Sequence, residues 1–285
     1  MTFRNVGKLS IVLLLIFGLT AQLSAQGKSG QYLSVEHSII TKGLPLVGPV
    51  KLTHTQDIYK DSLCRSSRNS VITLGDSVLS NVTTITIHDL NGKKQMFVNP
   101  AAKEWAVRMM RASEFPVIDS AADARRPQMK IEKTGETKTI DGKKCDKITF
   151  RLDHARNTGV GEAKVKHYFE GFLWVTKEIP NHKMYNSYNL FAHKFLRGTN
   201  NVTGSFFDIL IRLDLDEYNL NRLLAEMEGI PVEGTIVAQM PTGQGADVFE
   251  TNIKLLNYST KAFKDGHFAP PRDCKEVPIK EFKSF

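Results

Sequence analysis

Eight histidines, His37, His54, His88, His154, His167, His182, His193 and His267, are the side chains best suited to hold a metal or pass a proton. None pairs at His-x-His or His-x-x-x-His spacing, so no local zinc-ligand pattern exists and a structural role is expected for each. The acidic run Asp214-Leu-Asp216-Glu217 lacks the glycine and the terminal glutamate spacing of a calcium loop and reads as helix capping. No Gly-x-Ser-x-Gly elbow, phosphate-cradling loop or dinucleotide fingerprint occurs. Serine, histidine and aspartate are plentiful, but abundance places nothing in space. The expectation is a protein that is not an enzyme and carries no metal or cofactor. The chemistry left is apolar. Met184, Tyr188, Phe191 and Phe195, spaced by 4, 3 and 4, form one helical stripe, and Leu220, Leu223, Leu224 and Met227 form another. Together with Trp174 these side chains could line a lipid-sized hollow; the plain alternative is that they fill the core.

The elements that would position them follow from periodicity. Apolar and polar residues alternate over Gln31–Thr41, Leu52–Tyr59, Cys64–Leu74, Val78–Asp89, Lys94–Val98 and Glu104–Met110, the pattern of strands with one wet face. Asn91-Gly92 and Asp141-Gly142 each predict a tight hairpin turn, because positive φ costs glycine nothing. After Asp141-Gly142, Ile148, Phe150 and Leu152 alternate with Lys147, Thr149 and Arg151. In the run beginning at Gly171, Leu173 and Val175 point away from Phe172 and Trp174, so both faces of that strand read as covered. A polar loop is expected at 153–162, and strands return at Val232–Met240 and Val248–Tyr258. Between them the period changes to 3.6, with helices over the Met184 stripe, a short set at Phe206, Ile209, Leu210 and Leu213, and Glu217–Glu228. Residues 115–128 read as a loop or short helix. The strand series predicts one antiparallel meander.

Composition bounds the setting. Arg4 and Lys8 precede an apolar run from Leu9 to Leu23, and Ser24-Ala25 offers a cleavage point, so residues 1–25 read as a secretory signal peptide and 26–285 as a single domain. An uncleaved anchor is the alternative, disfavoured because the run is shorter than the roughly 20 residues a span needs. No cysteine follows it for lipid attachment, which places the protein in the periplasm or outside the cell. The formal charge of +8 becomes +6 without Arg4 and Lys8, and the basic residues are scattered, so nucleic acid is not an expected partner. Asn81, Asn201 and Asn257 begin glycosylation sequons, which an exported chain presents for modification only in a host that glycosylates. Cys64, Cys145 and Cys274 are an odd number, with spacings of 81 and 129 that exclude zinc knuckles. A Cys145–Cys274 disulfide is the favoured pairing, on the ground that a carboxy-terminal segment often tucks against a central sheet; three reduced, buried thiols are the alternative.

Several features recur together in a known family. Thr134-Gly-Glu-Thr-Lys-Thr-Ile-Asp-Gly-Lys-Lys-Cys145, Leu173-Trp-Val-Thr176, Glu228-Gly-Ile-Pro231 and a closing Phe268 with Pro270-Pro271 resemble the domain of unknown function 4412 family of exported bacterial proteins, related in fold to the outer-membrane lipoprotein carrier. Ile85–Pro100 resembles that family's early hairpin, and the similarity covers most of Tyr32–Val277. The resemblance implies an α+β fold: a curved antiparallel sheet forming an incomplete, LolA-like β-barrel, with helices covering its concave side around an apolar hollow. In the carrier relatives that hollow takes lipid acyl chains, so a lipid or lipoprotein is the implied partner, an envelope protein being the partner of the competing reading. Cys274 departs from the family, which usually has an aromatic after the proline. The family supplies no agreed catalytic residues. An envelope interaction module with a packed core is the competing expectation.

Overall fold

The alternation of the amino-terminal half becomes six strands: β1 (Gln31–Lys42), β2 (Val50–Tyr59), β3 (Leu63–Leu74), β4 (Ser77–Asp89), β5 (Lys94–Asn99) and β6 (Glu104–Met109). Three more follow, β7 (Lys130–Ile140), β8 (Lys143–Asn157) and β9 (Lys164–Thr176), then helices α1 (His182–Phe195) and α2 (Glu217–Glu226). The chain returns through β10 (Ile230–Thr242) and β11 (Gly245–Ala262) and closes with a 3-10 turn at Asp265–Phe268 and the short β12 (Lys275–Glu276). This computed structural model describes residues 30–43, 48–110, 127–157, 164–195, 207, 217–242 and 245–282. The expected short helix near Phe206 and the 115–126 stretch lie outside them.

All twelve strands form one open sheet in the order β12-β6-β5-β4-β3-β2-β1-β11-β10-β9-β8-β7. The expectation of one meander is corrected here. β1–β6 and β7–β11 are two antiparallel meanders, joined because β1 pairs with β11. β12 adds to β6 in parallel, with Lys275 opposite Glu104. The polar loop expected at 153–162 is also shorter, since β8 and β9 stay in register from Asp153–Tyr168 out to Asn157–Lys164.

Turn chemistry explains where the two hairpin expectations part. Ile140 pairs with Lys143, and Asp141 (φ 47°) and Gly142 (φ 75°) both take positive φ, the two-residue turn that matches strand twist. At the other hairpin, Asp89 pairs with Lys94, leaving a four-residue loop. The Asp89 carboxylate accepts from the Gly92 amide at 2.8 Å, and Lys93 (φ 52°) takes the left-handed position. A side chain capturing a local amide has replaced the tighter turn.

The sheet buries different partners on its two faces. On one face, Leu33, Val35 and Ile39 of β1, Ile148, Phe150 and Leu152 of β8, Phe169, Leu173 and Val175 of β9 and Ile236 of β10 pack with both helices in the main core. On the other face, Tyr32, Tyr59, Leu63, Ile85, Ile87 and Val98 form a smaller core under Phe268, with Phe263 and Cys274 against it. The carboxy-terminal segment therefore covers the β1–β5 end of the face that the helices leave open.

Candidate functional site

Helix α1 crosses the sheet on a stripe made of Tyr185, Tyr188, Asn189, Ala192 and His193, each at most 2% exposed. That stripe is turned by about one residue from the 184/188/191/195 reading. Met184 is only half-buried and Phe191 is 39% exposed. The turn has a local cause: Gln56 donates to Asn189 at 2.9 Å, and Asn189 Nδ2 donates to the Tyr185 carbonyl at 2.9 Å. A polar anchor thus sits inside the apolar face, which a purely hydrophobic stripe could not have revealed. Phe195 closes the helix, and its side chain lies outside the described residues.

Helix α2 presents Leu220, Leu223 and Leu224 on its core face, and Met227 follows the helix as expected. All four are at most 2% exposed. Asn186 ties the helices together: its Nδ2 donates to the carbonyls of Met227 and Gly229 at 2.9 Å each, and its Oδ1 accepts from the Gly229 amide at 2.9 Å. At the start of α2, Asn219 accepts from the Met129 amide at 2.8 Å and donates to the Pro127 carbonyl at 2.9 Å, while Arg222 donates to the Met129 carbonyl at 3.0 Å.

Tyr188, Leu220, Leu223, Leu224 and Met227, expected to line a hollow, therefore meet inside the main core, with protein atoms on every side. Trp174 does not join them from within. It is half-buried on the β9 face opposite Leu173 and Val175, with the ammonium groups of Lys138 and Lys147 at 5.8 and 5.7 Å from its ring.

Sequence reasoning missed a polar set beneath α1. His37 is buried, and its Nε2 donates to the Pro231 carbonyl at 2.9 Å; burial lowers its pKa to about 4, so it is neutral near pH 7. Cys64 lies beside Tyr188 and Gln56, and burial pushes its thiol well above the usual range. The Tyr185 hydroxyl is fully buried and meets no hydrogen-bond partner among the described residues, and burial raises its pKa strongly. The only forewarning was the presence of polar residues at inward positions of β1 and β2. Next to them, His54 Nε2 and Ser66 Oγ are 2.9 Å apart, a pairing familiar from nucleophilic serines, and both residues are buried, at 1% and 2% exposure. Among the described residues, no three His, Cys, Asp or Glu side chains come together as a metal site.

The favoured disulfide is corrected. Cys145 packs in the main core, Cys274 packs against the smaller core on the opposite face, and Cys64, Cys145 and Cys274 are all free thiols. The tail does tuck against the sheet, but at the β1–β6 end, away from β8. No helix among the described residues is long and apolar enough to cross a membrane.

No protein-family model matches the chain. No curated protein matches it. Solved structures it is similar to include a LolA superfamily protein from Nitrosomonas europaea, at 8% identity and TM-score 0.26, with 84% of this chain and 90% of that one covered. Another is a putative outer membrane lipoprotein-sorting protein domain from Vibrio parahaemolyticus, at 7% identity and TM-score 0.25, covering 89% and 95%. A DUF1329 family protein from Desulfovibrio piger gives 10% identity and TM-score 0.21, covering 89% and 95%. TM-scores of this size establish neither a shared fold nor a shared ligand.

Proposed function

We propose that this is an exported, non-enzymatic carrier that shelters the apolar chain of a lipid or lipidated partner between its two helices and its sheet. The helices then act as a lid on the concave side of a half-barrel, and the described conformation is the closed one. Residues 1–25 direct export to the periplasm, and membership of the domain of unknown function 4412 family is part of the same reading.

The observation that carries it is the Tyr185 hydroxyl. A fully buried donor without a partner among the described residues costs roughly 1–3 kcal/mol, and this one stands in the main core with the His37 ring 6.4 Å from its own. A ligand with a long apolar body and one acceptor group would satisfy that hydroxyl. It would also replace side-chain contacts with acyl contacts, and the hydrophobic effect is non-directional enough to permit that exchange. The lid is held by the side-chain amides of Asn186, Asn189 and Asn219, at a net of roughly 0.5–1.5 kcal/mol per hydrogen bond, a latch weak enough for a ligand to open.

A second reading has its own observation. The 0–2% exposure of Tyr188, Leu220, Leu223, Leu224 and Met227 suits a solid-core module that contacts an envelope protein through loops and sheet edges. Titration of the 26–285 protein with the fluorescent fatty acid 11-(dansylamino)undecanoic acid separates the two. The carrier reading expects saturable binding that weakens several-fold in Tyr185→Phe, while that variant gains stability because its orphan hydroxyl is gone. Absence of saturable binding would leave the module.

A further inference from the structure

Across β7–β10, on the face away from the helices, three cross-strand rows of side chains lie side by side. Lys130, Arg151, Glu170 and Val237 make one row, and Glu132, Thr149, Phe172 and Thr235 the next. Lys147, Trp174 and Glu233 make the third. The middle row is low because two of its members are threonines, while the outer rows are built from long charged or aromatic side chains. A groove of about 530 Å³ results, running across the strands. Four strands at ~4.8 Å spacing give it a length of about 14 Å.

Its chemistry is specific. The groove floor holds an aromatic face at Phe172, an apolar spot at Val237, and the hydroxyls of Thr149 and Thr235. Thr235 Oγ1 gives its proton to Asn252 Oδ1 at 2.9 Å, so toward the groove it offers lone pairs. The walls carry both signs in matched pairs. Arg151 donates to Glu170 at 2.8 Å and to Asp153 at 2.7 Å, Lys147 donates to Glu136 at 3.0 Å, and Lys130 stands 3.6 Å from Glu132. Every cation lining the groove is thus paired with a carboxylate, which removes the field that would select an anion or a cation. An acyl chain fits poorly, since laying it there would strip water from those ion pairs without offering them hydrogen bonds. An uncharged ligand rich in hydroxyls, with a flat C–H face for the aromatic ring, meets all of these groups at once.

We infer that this groove is a binding site for a neutral oligosaccharide a few sugar rings long, lying across β7–β10 with one ring against Phe172 and its hydroxyls shared among Thr149, Thr235, Arg151 and Glu170. The site is separate from the helix-covered core and stands whether or not that core takes a lipid.

The test is an amide-proton NMR titration of the 26–285 protein with maltohexaose, cellohexaose, laminarihexaose and chitohexaose, alongside heparin-derived hexasaccharide as the anionic arm. At least one neutral hexasaccharide is expected to shift resonances confined to residues 149–151, 170–172 and 235–237. Its affinity should fall at least tenfold in Phe172→Ala and several-fold in Thr149→Val, a near-isosteric change that keeps the fold if the first does not. No shift with any neutral sugar would overturn the inference. So would shifts that survive both substitutions, or tighter binding of the heparin fragment at the same residues.

Discussion

Asp57 and His267 meet at 2.6 Å across 210 residues of chain, and the contact pins the carboxy-terminal segment to the sheet. The Asp57 side chain is 6% exposed and that of His267 is 29% exposed. Around them His267 stacks on Tyr32 at 4.9 Å, while Phe263 lies 5.3 Å from Phe268 and 4.0 Å from Tyr59. One polar contact thus sits inside a small aromatic core.

Replacing that histidine isolates a buried carboxylate. His267→Ala is expected to lower stability by roughly 1–3 kcal/mol and to speed tryptic cleavage after Lys261 and Lys264, read by denaturant unfolding and limited proteolysis. Unchanged cleavage would mean that the aromatic contacts alone hold the segment.

Gly171 is required by close packing. It lies opposite Phe150 on β8, and a Cβ there would come within 2.5 Å of the Thr235 carbonyl oxygen and 2.9 Å of the Phe150 ring. Gly171→Ala is expected to cost about 1–3 kcal/mol through overpacking. Adding Phe150→Leu should recover part of that loss, which a double-mutant unfolding cycle would show.

His37 gives the stability a sign with pH. Its native pKa of about 4 lies below the ordinary value near 6.5, so the unfolded chain takes up a proton that the native chain refuses. Stability from this group is complete above pH 6.5 and is lost as pH falls from 6.5 to 4, up to ~3 kcal/mol in total. In His37→Gln the slope of unfolding free energy against pH over that window should flatten by at most about 1.4 kcal/mol per pH unit.

Burial raises the thiol pKa of Cys64, Cys145 and Cys274 alike, and Cys274 is the least covered of the three. Iodoacetamide at pH 7.5 is expected to modify Cys274 slowly in the native protein, and Cys64 and Cys145 only after unfolding. Intact-mass analysis without reductant should find no internal disulfide.

How much of this was legible in the sequence depended on how local its cause was. The strands were visible because alternation is a property of neighbouring residues, and Asp141-Gly142 announced its turn because backbone φ decides it. Asn91-Gly92 marked the β4–β5 hairpin but not its turn type, because the Asp89 side chain, outside the dipeptide, captured the Gly92 amide. The β1–β11 pairing joins the two ends of the chain, and no local pattern encodes it. Trp174 was placed on the far face by its alternation with Leu173 and Val175, and its grouping with the helical residues ran against that pattern. The rotation of α1 came from Gln56 meeting Asn189, a contact across 133 residues. The covering of the second face by Phe263 and Phe268 was equally remote from any local signal.

The most direct measurement for a lipid-sheltering core is native mass spectrometry of the 26–285 protein, exported by its own leader and purified without detergent. A lipid-bearing species whose extra mass is released on unfolding and identified as an acyl lipid is the predicted result. A bare polypeptide mass, together with no saturable uptake of an added fatty acid, would contradict it.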